Sequence, residues 1–435
     1  MGHVLIKTAP LVNLDKMVAR NYLSTAAVTL LLSTPSLAQS NSQSDGSHLS
    51  IWPLEARADS VRICVAYSIP FGRIVFEKEN EGKHGFLARL TFYVDASDSA
   101  RQINYPAFSQ SEVETETFSV TRSRKESAED FVVMKLPSSS YRISAQVRDE
   151  TQGISYINTT LQGRFSAPDS TGILGVSFLD SLSGRDYFPV FDRDSAPFPR
   201  KIRVAVLKYA TRGQVSLSLN GTDGRLICDA ESTISHSERL EPVRAGNRVH
   251  LVGIPDKSLR IFSGEFLSDT LGEGMLQLEV HSGERKSSFP FCYSWTDKPK
   301  TLRNFNLALS LLKYIVADSI YSWIDTGSEA EAKRRFDMFW RSQDPSPNTA
   351  YNELEAEYYR RADYALEHFG STATRNGAST DRGKAYILMG PPTHIRREFR
   401  NDGTYEIWEY PKMNRKMVFR GRSFGEFRLY QTESL

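Results

Sequence analysis

The chain has 435 residues, of which 40% are hydrophobic, 24% charged and 11% aromatic, an ordinary globular composition that excludes a disordered or fibrous protein and is too long for a single core. Its formal charge of +2 resides in the N-terminal stretch 1–38, where Lys7, Lys16 and Arg20 face Asp15 alone, so the remainder is neutral and offers no general attraction for nucleic acid or an anionic membrane. Cys64, Cys228 and Cys292 are too few and too widely spaced for a disulfide framework or a zinc site; they read as small buried side chains, with a Cys228–Cys292 bridge as the alternative.

Residues 1–38 have the layout of an export signal. Lys16 and Arg20 precede an apolar run from Leu23 to Leu32, and Pro35-Ser36-Leu37-Ala38 supplies the small residues a signal peptidase reads, so cleavage is expected after Ala38. Met17 is an alternative start. The run is too short to span a bilayer comfortably, no later stretch is longer, and no cysteine follows for a lipid anchor, so the mature chain is expected to lack a transmembrane segment. Residues 39–50 read as a flexible lead-in.

Residues 51–165 carry strand after strand. Val61, Ile63, Val65, Tyr67 and Ile69 alternate with Arg62, Cys64, Ala66 and Ser68, the period of a strand with one buried face. Phe131–Leu136 and Tyr141–Val147 flank Pro137-Ser138-Ser139-Ser140, similar to the tyrosine corner of immunoglobulin-like sandwiches. The proline-rich segment 166–200 reads as a connector that packs one strand, Ile173–Phe178, onto a neighbour, and the strand pattern resumes over 201–297, which predicts a second antiparallel sandwich in tandem with the first.

From residue 298 onward the period changes to that of helices. Phe305, Leu309, Leu312, Val316 and Ile320 predict one helix ending near Asp325, Ser328 with Glu331 predicts a capping box opening a second, and a third is expected over about 349–369. A polar turn from Gly377 then leads into Ala385–Met389, read as a buried strand that Gly390-Pro391-Pro392 ends. Tyr405–Tyr410 and Lys416–Phe419 continuing to Phe427–Tyr430 complete a small meander. The expected fold is therefore multidomain and mainly β: two immunoglobulin-like sandwiches followed by an α+β domain, residues 298–435, of three helices and a small antiparallel meander.

The C-terminal part, from about Phe336 to Leu429, resembles the GWxTD domain of bacterial proteins. The resemblance rests on Phe339-Trp340, Asp344-Pro345, Asn352-Glu353, Tyr358, Arg361, Phe369, Gly377, Thr380-Asp381-Arg382-Gly383, Tyr386-Ile387-Leu388, Gly390-Pro391-Pro392, Tyr405-Glu406-Ile407-Trp408, Tyr410-Pro411 and Phe424-Gly425. Ala378 stands where the family's tryptophan is expected. The resemblance implies no enzyme activity and no cofactor.

Gly377 and Gly383 permit angles that other residues resist, Asp381 is expected to accept from amides of its own loop, and Arg382 to pair with an acidic residue such as Glu353. Trp408 and Tyr410 share a strand face with Glu406 and read as core or as an aromatic docking surface. The candidate partner-binding residues are thus Gly377, Thr380, Asp381, Arg382, Gly383, Tyr386, Gly390, Pro391, Pro392, Trp408 and Tyr410. No metal-binding His pair, nucleophile elbow or phosphate loop occurs. The expected function is that of an exported, non-enzymatic interaction or scaffold protein of the periplasm or cell surface. Its C-terminal domain would dock a protein or cell-envelope component, peripheral contact with a membrane included and nucleic acid excluded. The alternative is an envelope hydrolase using Asp381 with His394.

Overall fold

The computed structural model describes residues 46–435 except 58, 79–84, 99, 124, 166–171, 192–194, 211–213, 373 and 422–424. The expected signal peptide 1–38 and most of the lead-in lie outside the described residues. The end of the lead-in is not loose, because the first strand, β1 (His48–Ala56), starts within it.

The first β region continues with β2 (Ser60–Pro70), β3 (Glu77–Lys78), β4 (Phe86–Asp98), β5 (Ile103–Thr115), the single turn α1 (Phe118–Thr121), β6 (Ser127–Pro137), β7 (Ser139–Asp149) and β8 (Ile154–Phe165). β1, β2 and β6 form one antiparallel sheet; β3, β4, β5, β7 and β8 form the other. Tyr141 does make a corner, its hydroxyl donating to the carbonyl of Pro137 at 2.7 Å.

The second β region comprises β9 (Ile173–Ser183), β10 (Asp186–Pro189), β11 (Ser195–Pro197), β12 (Ile202–Tyr209), β13 (Val215–Gly221), β14 (Leu226–Asp229), β15 (Ser232–His236), β16 (Glu238–Ala245), β17 (Arg248–Pro255), β18 (Leu259–Phe266), β19 (Gly274–Ser282) and β20 (Arg285–Ser294). They make a seven-stranded sheet in the order β15-β18-β12-β9-β10-β17-β16 and a five-stranded sheet in the order β11-β20-β19-β13-β14. The expected connector 166–200 does carry the strand read in it, β9, but is corrected in its role: β9 lies in the middle of the larger sheet, β10 and β11 follow it, and Pro189 and Pro197 end those two short strands. Cys228 and Cys292 are unbridged and half-buried, and Cys64 is buried.

The two β regions are also fused rather than merely tandem. Tyr67 of β2 packs edge-on against Phe92 of β4 at 5.0 Å and its hydroxyl meets Ser111 of β5, so this face looks into the first sandwich. The opposite face is covered as well. Arg62 makes a bidentate pair with Glu241 of β16 at 2.6 Å, and Glu129 of β6 accepts the backbone N–H of Val249 of β17 at 2.7 Å. Cys64, read as a small buried side chain, and Ala66, on the face expected to be outward, are both fully buried, and one apolar cluster runs from Ile63 and Val65 to Leu251 and Ile261. Small side chains on that face let the three-stranded sheet lie close to the seven-stranded one, and each Val or Ile buried in the join contributes about 1.5–3 kcal/mol.

The C-terminal region holds α2 (Phe305–Leu312), α3 (Asp318–Asp325), α4 (Glu329–Ser342), α5 (Glu353–His368) and α6 (Asp381–Met389), then β21 (His394–Arg400), β22 (Gly403–Tyr410), β23 (Arg415–Gly421) and β24 (Phe427–Glu433) in one antiparallel sheet of that order. The single first helix is corrected to α2 and α3. After Leu312 the chain tightens into a turn in which Ile315 and Val316, β-branched and poor helix formers, both donate to the Leu312 carbonyl, while Tyr359 donates to the Ala308 carbonyl at 3.0 Å and Tyr358 to that of Leu311 at 2.7 Å. Ser328 and Glu331 form the expected capping box, and Asn352 caps α5.

The expected strand Ala385–Met389 is also corrected, because it is the body of α6. Thr380 caps this helix by accepting from the Gly383 N–H at 3.0 Å, Asp381 sits favourably in its first turn, and Gly390, at φ 78°, closes it. The meander accordingly has four strands, its first formed by residues expected to be loop.

Candidate functional site

The signature residues converge on the junction of α5, α6 and the meander, and nearly every one is consumed by it. Gly377 lies under the end of α5: a Cβ there would sit 2.1 Å from the Ala365 carbonyl oxygen. Gly383 lies against Gly377, with a Cβ position 2.0 Å from that residue's carbonyl oxygen, so two close backbone approaches, not left-handed angles, demand these glycines. Thr380 is buried and donates to the Gly377 carbonyl at 2.7 Å. Ala378 is fully buried in the same packing, which leaves the family's larger tryptophan no room without rearrangement.

Asp381 accepts the backbone N–H of Leu429 at 2.8 Å and so ties α6 to β24, instead of serving its own loop. Arg382 pairs with Glu406 of β22 at 3.3 Å, not with Glu353, and lies over the Phe427 ring at 4.3 Å. Glu406 is 3% exposed and accepts also from Arg397 at 3.0 Å and from the indole N–H of Trp408 at 2.9 Å. Each donor offsets part of the cost of burying the carboxylate. Tyr386 stacks on Tyr364 at 4.4 Å. Tyr410 is buried and donates to the Gly390 carbonyl at 3.2 Å, and burial pushes its phenol well up. Pro391 is exposed and Pro392 half-buried, and the pair leads into β21.

Trp408 is fully buried, so it and Tyr410 are core rather than a docking surface. Asp381 and His394 are not brought together. Asp381 is bonded to β24 and His394 lies on β21, the opposite edge of the four-stranded sheet, three strand spacings or about 14 Å away. Among the described residues no group of three His, Cys, Asp or Glu side chains is placed to hold a metal ion, and no helix is long and apolar enough to cross a membrane.

Two features escaped the sequence reading. Glu406 was visible as a charged residue on the face shared with Trp408 and Tyr410. The edge strand β21 was obscured by its charges. Its Ile395, Arg397 and Phe399 stand in register with Trp408, Glu406 and Thr404, yet Ile395 is 59% and Phe399 83% exposed. Arg397 is tied to Glu406 and Arg400 to Glu398, so the charges along this edge are already paired within the sheet. Among the described residues no strand adds to the outer edge of β21.

No curated protein matches the chain. The family model of the GWxTD domain matches residues 277–425, beginning inside β19 and spanning the signature packing, so the C-terminal part of this chain is a GWxTD domain.

Proposed function

We propose that this is an exported, non-enzymatic scaffold protein of the bacterial cell envelope whose GWxTD domain docks a protein partner at β21. The observation that carries the reading is the edge strand itself, with Phe399 83% and Ile395 59% exposed beside paired arginines. Free strand edges bind extended segments through main-chain hydrogen bonds, and apolar side chains beside them supply contact area. Because Arg397 and Arg400 already have carboxylate partners, an added strand leaves no new charge unpaired. The signature residues support this docking from beneath by holding the sheet on α5 and α6.

Export is supported by the Lys16 to Ala38 pattern, and mature protein from the envelope fraction is expected to begin at Gln39; a mature N-terminus at Met1 or Met17 contradicts export by cleavage. For docking, the variant Ile395→Asp with Phe399→Asp is expected to fold normally, since both side chains are exposed, and to lose the partners that the parent protein crosslinks. Retention of the same partners overturns the reading.

A further inference from the structure

The outer edge of β21 runs His394-Ile395-Arg396-Arg397-Glu398-Phe399-Arg400, with Pro392 before it and the Asn401-Asp402 turn after it. All of these strand residues but half-buried Glu398 are exposed. Their order is self-complementary. Set antiparallel to a second copy about a two-fold axis at Arg397, the strand brings Ile395 beside Phe399 of that copy and Arg396 opposite its Glu398. Each of these pairs occurs twice, once on either side of the axis.

The neighbouring registers that keep the same face of both sheets on the same side are poorer. An axis at Arg396 sets that arginine against itself and Ile395 against Arg397, whereas an axis at Glu398 sets two carboxylates together and Arg396 against Arg400. With the axis at Arg397 the central pair is like-charged, but Glu406 at 3.0 Å draws that guanidinium toward β22, away from the outer edge. His394 falls opposite Arg400 of the second copy, which that copy's Glu398 holds at 2.7 Å. Arg396 is held less firmly. It reaches Glu398 and Glu409 of its own sheet only at 3.7 and 3.6 Å, too long for hydrogen bonds, so its donors are available to a new carboxylate. On the side facing α5 and α6, Trp408, Ile395 and Phe399 of the second copy form one apolar row that continues the core across the join.

We propose that the partner docked at β21 is a second copy of this chain, the two four-stranded sheets joining into one of eight strands. The proposal rests on the reading of β21 as a docking edge and names its occupant.

The test is sedimentation of the full mature chain from about 1 to 100 μM, since a single strand pair is a small interface that dissociates on dilution. A monomer–dimer equilibrium is expected. Arg396→Glu and Glu398→Arg each place like charges at both outer pairs and are expected to weaken the dimer about tenfold or more. Mixed together, the two variants are expected to form a heterodimer, because each then meets the opposite charge at both positions; an undiminished unfolding temperature shows that each is folded. Ile395→Asp with Phe399→Asp is expected to abolish the dimer. A parent chain that stays monomeric, dimers that survive these substitutions, or folded variants that do not pair on mixing overturn the proposal. The two readings fail separately: a monomeric chain whose position 399 crosslinks to a different protein loses the self-pairing and keeps the docking, and a monomeric chain with no adduct at 399 loses both.

Discussion

Replacing Arg382 by Met tests whether the signature is scaffolding. The substitution keeps the length of the side chain and removes its charge, leaving Glu406, 3% exposed, with Arg397 and Trp408 as remaining donors. Breaking a buried pair by removing one partner costs about 3–5 kcal/mol. Arg397 lowers that figure, but its side chain is 62% exposed and its charge is screened by water. Contact of the new thioether with Phe427 recovers part of the lost cation–π term. A net loss of about 3 kcal/mol is expected, a fall of roughly 6–12 °C in the unfolding temperature of the region. Urea unfolding followed by tryptophan fluorescence measures it. Adding Glu406→Gln should restore about 1–2 kcal/mol, since glutamine carries no charge and still accepts from Trp408. A loss under about 0.5 kcal/mol with diminished partner binding would refute the scaffolding role and point to ligand contact.

Gly383→Ala, which in an ordinary helix adds about 1 kcal/mol of stability, is expected to cost about 1–3 kcal/mol here because the new methyl meets the Gly377 carbonyl oxygen at 2.0 Å; calorimetry decides the sign. Tyr141→Phe removes the donor to Pro137 and should cost about 1 kcal/mol in chemical denaturation, without changing the C-terminal transition. Glu355 binds its proton more tightly folded, at about 7, than unfolded, near 4.5, so its contribution to stability is greatest below pH 4.5 and declines as pH rises to 7. Glu355→Gln should therefore remove that slope and gain roughly 2 kcal/mol at pH 8, allowing for partial solvent screening; a gain equal at pH 4 and pH 8 contradicts the assignment.

The sandwiches were legible because a strand with one wet face writes its period into the residues, as in Tyr141–Val147, where Tyr141, Ile143, Ala145 and Val147 are buried and alternate with Arg142, Ser144 and Gln146. The fusion of the two was not. Cys64, Ala66 and Ser68 are small enough to face either water or a neighbouring sheet, and only Arg62 meeting Glu241 and Glu129 meeting Val249 reveal which. Ala385–Met389 illustrates a different failure: a short apolar run fits helix or strand alike, and the decisive signal was Thr380 followed by Asp381 as a cap rather than as a turn. The strand face that Trp408 and Tyr410 share with Glu406 left core and docking surface both open, and the partner of Arg382 was not readable, because the pairing depends on how α6 lies across β22. Glu355 gave no local sign, since what buries it arrives from the end of β20 and from α4.

The central claim is that partners meet β21 while the signature works from within. Photocrosslinking from position 399 in the native envelope, with and without the Arg382→Met substitution, tests it most directly. The account predicts an adduct at 399 that persists in the variant at temperatures where its domain stays folded, with no adduct from buried position 408. An adduct absent at 399, or lost in the folded variant, would contradict it.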